Sequence, residues 1–124
     1  ASLNSARRKS RDARRVADVK QIQLALELSF DTSNAYPATT ASLATGGFIP
    51  VVPCDPLSVA PCTIPYQYAA LLSGTTCTSY HLGATLEEGN NPALRHDSDA
   101  AAVKICSGSG ADFAGTDPVY DVKP

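Results

Sequence analysis

Few side chains in this 124-residue chain could do chemistry, and most sit in its C-terminal half. Asp97, Asp99, Asp112, Asp117 and Asp121 could supply the carboxylates of a calcium site, with loop carbonyls completing the shell. They follow no EF-hand string and are spread along the chain, so they read as solvated loop acids. Asp97, Asp99, Asp112 and Asp117 are the set a calcium ion would use, and no other metal or cofactor is expected. His81 stands beside Ser79 in an alternating pattern, and His96 precedes Asp97, the residue types of a serine–histidine–aspartate site. No GxSxG string or nucleophile loop accompanies them. Both histidines are expected at the surface, and the chain is not expected to be an enzyme. Ser107-Gly108-Ser109-Gly110 is followed by neither a lysine nor a helix, so it reads as a linker or loop tip rather than a phosphate loop.

The four cysteines, Cys54, Cys62, Cys77 and Cys106, form no CxxC pair and have only two histidines to join them in a zinc site. Two disulfides in an oxidising compartment are the better reading. Four cysteines permit three pairings. Cys54–Cys62, closing a proline-rich loop, and Cys77–Cys106, pinning the C-terminal segment to a strand, are favoured. Each could contribute roughly 2–4 kcal/mol, mainly by restricting the unfolded chain.

The element that must position everything else is Asn4 to Phe30, which contains neither glycine nor proline. Its residues are mostly good helix formers. Val16, Val19, Ile22, Leu26 and Phe30 recur at helical spacing and form a stripe to be buried, widened by Leu24, Ala25 and Leu28. The other half carries a basic patch, Arg7, Arg8, Lys9, Arg11, Arg14 and Arg15, and reads as a stalk without a core to cover. Residues 1–20 hold seven bases against two acids, +5, while the remainder holds three bases against ten acids, −7. A basic rod on an acidic body is a dipole, and such dipoles can stack head to tail. The patch reads as a solvated helix face, then as a subunit contact, then as a nucleic-acid site. The last would be salt-sensitive phosphate binding only, since no aromatic is interleaved for base stacking.

Beyond Phe30, Asp31 to Asn34 are turn and capping types and predict the helix exit. Tyr36-Pro37 forces an extended step, Thr39–Thr45 holds a short helical turn, and the region 48–64 is a proline-broken loop. Pro65–Leu72 and Cys77–Leu86 read as two strands joined by a Ser73–Thr76 hairpin. Pro92–Arg95 suggests a turn, Ala100–Cys106 a strand or short helix, and Val119–Val122 an edge strand. Tyr66, Tyr68, Tyr80 and Tyr120 are expected to pack across the sheet and under the helix. The fold class is α+β in a single domain 1–124: a helix (1–30), a connecting loop region (31–64), and a sheet with an irregular C-terminal region (65–124).

Several strings in this order resemble the type IV pilins and the pseudopilins of type II secretion systems. Ser5 to Arg15 followed by Val19-Lys20-Gln21-Ile22-Gln23-Leu24-Ala25-Leu26-Glu27-Leu28 is similar to a pilin helix just past its membrane segment. Phe30-Asp31 with Asn34-x-Tyr36-Pro37 resembles the family's helix exit. Pro65-Tyr66-Gln67-Tyr68 and Tyr80-x-Leu82-x-Ala84-x-Leu86-Glu87 resemble its first strands. The likeness covers most of residues 4–91 and weakens after Asn91. It implies a pilin-like, disulfide-linked subunit of an extracellular fibre, anchored in the inner membrane before assembly by an apolar segment that would precede Ala1. Its partners would be other pilins or copies of itself, and the inner-membrane assembly machinery. The alternatives are a pseudopilin of a secretion apparatus, some of which carry calcium in the C-terminal loop, and a minor pilin binding DNA for uptake.

Overall fold

The computed structural model describes Ser2 to Pro124; Ala1, where the expected domain starts, lies outside the described residues. The chain runs α1 (Leu3–Ser33), α2 (Ala41–Thr45), β1 (Gln67–Ser73), β2 (Thr76–Thr85), a 3-10 turn (Pro92–Arg95) and β3 (Val119–Val122). α1 packs on a three-stranded antiparallel sheet of order β1-β2-β3, an α+β layout stapled by two disulfides.

With nothing to break it, α1 extends over 31 residues, about 46 Å at the usual rise. Ser2 caps its start, its hydroxyl accepting from the Ser5 N–H at 3.2 Å. Its end is Asn34, whose left-handed backbone (φ 58°) lets its N–H donate to the Phe30 carbonyl at 2.7 Å. The helix therefore passes the expected exit at Phe30, because the residue able to take the left-handed cap comes only at Asn34.

Val19, Ile22, Ala25 and Leu26 are buried against Tyr36, Leu43, Tyr66, Tyr80, Leu82, Ala84, Leu86 and Tyr120, with Val16 and Phe30 partly buried at the margin. Each large apolar side chain buried here is worth roughly 1.5–3 kcal/mol. Phe30, Tyr36, Tyr80 and Tyr68 form a run of ring contacts with centroids 4.7, 4.7 and 6.3 Å apart. The tyrosines thus pack as expected. Leu24 and Leu28 do not join this core: they are 64 % and 46 % exposed. At 100° per residue they point away from Ile22 and Leu26, so the buried stripe is narrower than its composition suggests.

β1 and β2 form the expected hairpin, closing at Ser73 opposite Thr76 with Gly74 at φ 69°, a value that suits glycine. β3 lies on the far side of β2, with Gly83 opposite Asp121 and Ala84 opposite Tyr120. Ala100–Cys106 forms neither a regular strand nor a helix. It runs beside β1, touching it as a bridge from Ile105 to Leu71, with Leu72 N–H donating to the Lys104 carbonyl and Cys106 N–H to the Ala70 carbonyl. The Cys77–Cys106 disulfide holds that segment, and Cys54–Cys62 closes the proline-rich loop. On the opposite edge, Ser98 N–H donates to the Asp121 carbonyl. Both outer edges of the sheet are thus occupied by the chain's own segments, which blunts strand addition by another chain.

Candidate functional site

Two charged clusters are built on this frame, one along α1 and one beneath the C-terminal loops. The first corrects the expectation of a solvated stalk. Arg15 is 2 % exposed and Asp12 is fully buried. The Arg15 guanidinium makes a forked pair with Asp55, Nε to Oδ2 at 2.7 Å and Nη2 to Oδ1 at 3.0 Å. Its Nη1 donates to Asp12 Oδ1 at 2.9 Å and to Glu87 Oε2 at 2.6 Å. Arg11 forks onto Glu87 with two 2.7 Å bonds, and Arg8 reaches Glu88 at 3.2 Å. Asp12 also accepts the backbone N–H groups of Glu87 and Glu88 at 2.9 Å each. Planar arginine forks satisfy carboxylates in a way that lysine cannot, so Arg11 and Arg15 are structural clamps. Nearby, the Tyr66 hydroxyl donates to Asp18 at 2.6 Å. Arg7, Lys9, Arg14 and Lys20 stay on the outside.

The network favours the ionised form of two of its carboxylates, Glu87 and Asp55. Hydrogen bonds from Arg11, and then from Arg15 against the opposing effect of burial, pull Glu87 from its ordinary 4.5 down to about 2. Burial works against ionised Asp55, but the fork from Arg15 and the Leu57 N–H outweigh it and leave its value lowered. Arg15 itself is raised, chiefly by its bonds to Asp55. A depressed carboxylate contributes stability that is complete above its unfolded value and is lost as pH falls through its folded one. Unfolding midpoints of the wild type and Glu87→Gln are therefore expected to differ most above about pH 4.5 and to converge toward about pH 2. A gap independent of pH across that window would contradict the pairing.

The second cluster corrects the expectation of surface histidines. His81 is fully buried in β2, while His96 is exposed. His81 Nδ1 lies 2.8 Å from Asp112 Oδ1 and Nε2 lies 2.6 Å from Asp121 Oδ2, and the ring stacks on Phe113 with centroids 3.9 Å apart. An ionised carboxylate only accepts, so with both aspartates ionised both ring nitrogens donate. Neither nitrogen faces Ser79, so the serine–histidine–aspartate arrangement considered from residue types is not assembled. Asp121 further accepts from Asp99 N–H at 2.8 Å and Ala100 N–H at 3.0 Å, and Asp112 accepts from Val103 N–H at 2.8 Å. Gly115 lies so close to the Asp121 carboxylate that a Cβ there would overlap it. The C-terminal loops are thus laced to the sheet by Asp121 directly and by Asp112 through His81.

The acids that look scattered in sequence are gathered by this lacing. Oxygens of Asp97, Asp99 and Asp121 lie within 4.8 Å of one another. Asp112 is drawn off to His81 instead. Asp97 Oδ2 accepts from Asp121 N–H at 3.3 Å, while its buried Oδ1 has no partner. Burial, reinforced by repulsion from Asp99, Asp121 and Asp117, raises Asp97 to about 6. Asp117 is raised as well, by desolvation first and then by Asp99. A hard oxygen-seeking cation fits such a donor set. Sequence spacing could not reveal it, because β3 brings Asp121 back to the loop that holds Asp97 and Asp99.

Among the described residues no helix is long and apolar enough to cross a membrane. Comparison with protein-family models, with curated proteins and with solved structures gives no match to this chain.

Proposed function

We propose that the chain is the body of a type IV pilus-like fibre subunit, assembled through α1 and doing its work by polymerising rather than by catalysis. The observation that carries this reading is α1 itself, a rod about 46 Å long clamped along one side of a small body, its other side clear. A helix that must carry load between subunits needs such anchoring, and the arginine forks supply it. The filled sheet edges favour assembly through the helix over assembly by strand pairing. In the natural gene, about 20 or more mostly apolar residues are expected ahead of Ala1, enough to span a bilayer. A coding sequence that starts at Ala1 would overturn the reading.

A second reading, a pseudopilin of a secretion apparatus, is favoured by the Asp97, Asp99 and Asp121 cluster with its unpartnered carboxylate oxygen. Calcium held there would relieve the mutual repulsion and tie the 97–99 loop to β3. Calcium at about a hundred times its dissociation constant is expected to add about 2.7 kcal/mol. It would raise the Tm by several degrees. Chelator and Asp99→Asn should each abolish the gain. A Tm indifferent to calcium and to chelator would end this reading. DNA uptake is the weakest of the three, because Arg8, Arg11 and Arg15 are already engaged by carboxylates. Fewer bases remain for phosphate contact than their number implies.

A further inference from the structure

A hollow opens where α1 passes α2 and the loop closed by Cys54–Cys62, with a volume of about 210 Å³. Ile22 and the Tyr66 ring, both buried, form its floor. The half-buried Val52, Pro53 and disulfide stand as its walls, and the exposed Ala41 and Pro65 form its rim. Alanine at position 41 leaves open the space that a larger residue of α2 would fill. None of the residues lining the hollow is charged. The acids beside it are committed elsewhere: Asp55 to the Arg15 fork, and Asp18 to the Tyr66 hydroxyl at 2.6 Å. The Thr40 hydroxyl also lines the hollow and makes no capping bond to α2, so it is the polar group left to face a ligand.

From this lining we propose that the hollow binds a small, neutral aromatic molecule carrying one hydroxyl, a simple phenol in chemical class. The inference is independent of the fibre reading. Size sets the first limit. An apolar cavity of about 150 Å³ already takes benzene, so about 210 Å³ holds a six-membered ring with a substituent and little more. Charge sets the second, because an ion entering here would give up its hydration and meet no counter-charge. Shape and polarizability set the third. The rigid rings of Pro53 and Pro65, the Tyr66 ring and the disulfide sulfurs suit a planar π-system, which gains from ring and sulfur contacts that a saturated ring makes less well. Thr40 then orients the hydroxyl, in the usual pattern of an apolar pocket with a single placed polar group.

The test is a titration of the isotope-labelled chain, disulfides intact, with phenol, benzene and cyclohexanol, followed by NMR. Phenol is expected to give saturable shifts centred on Ile22, Ala41 and Val52, with a dissociation constant of about 1 mM or tighter. Contacts from its ring protons to the Ile22 methyls should accompany them. Ala41→Phe, a change at an exposed position, should plug the mouth and abolish saturation. Val52→Phe should do the same from the opposite wall, and unchanged melting of either variant shows that the fold is kept. Thr40→Val should weaken phenol about fivefold and leave benzene unaffected. Shifts that do not saturate, that scatter over exposed residues such as Leu57 and Val59, or that survive both plugging variants would overturn the site. Cyclohexanol binding as tightly as phenol would overturn the aromatic class, and indifference of phenol to Thr40→Val would overturn the role of the hydroxyl.

Discussion

Replacing Arg15 by methionine is expected to cost about 3–5 kcal/mol, the penalty for leaving buried charges without their partner. Three carboxylates, Asp12, Asp55 and Glu87, converge on this one guanidinium, which is 2 % exposed. Methionine fills much of the same volume, so the loss would come from electrostatics and hydrogen bonding rather than from a cavity. In a domain of this size the loss corresponds to a fall in Tm of roughly 10–20 °C. The cost should shrink when Asp55→Asn and Glu87→Gln are already present, since the repulsion left behind is then removed. Arg8→Ala, at a pair whose side chains are 43 % and 21 % exposed, should cost less than about 1 kcal/mol. Denaturant melts of these variants would check the ranking. Equal costs for Arg8 and Arg15 would contradict the clamp.

His81→Leu is expected to be as damaging, again about 3–5 kcal/mol, because the carboxylates of Asp112 and Asp121 are 1 % and 0 % exposed and would lose their shared donor. The damage should begin locally. The loops between Asp97 and Gly115 are held by the Asp112 and Asp121 carboxylates, which His81 joins, and elsewhere mainly by a few backbone bonds and the Cys77–Cys106 disulfide. Limited proteolysis should therefore cut the variant between Ala100 and Asp117 before α1 unfolds. Asp112→Asn should be milder, since an amide oxygen still accepts from the ring. A variant as resistant as the wild type in this segment would contradict the lacing.

Local patterns made the helix, the hairpin and β3 legible in the sequence. Those elements follow from the absence of breakers between Asn4 and Phe30, from Gly74, and from alternation after Cys77. The favoured cysteine pairing is also the one the structure contains. What stayed hidden was the use of charge. Arg15 meets Glu87 across 72 positions and His81 meets Asp121 across 40. No spacing rule spans such distances, and a cluster of arginines looks the same whether water or carboxylates surround it. Leu24 and Leu28 failed for the opposite reason. Their type says core, but helical geometry places them outside, and only the packed sheet shows how narrow the buried face is.

The most direct test is to label fibres sheared from cells of the natural source with gold-conjugated antibody raised against residues 96–124, and to view them by electron microscopy. Gold spaced along filaments, absent when the gene is deleted, is the predicted result. Label confined to cell bodies or soluble material, with filaments bare, would contradict assembly through α1.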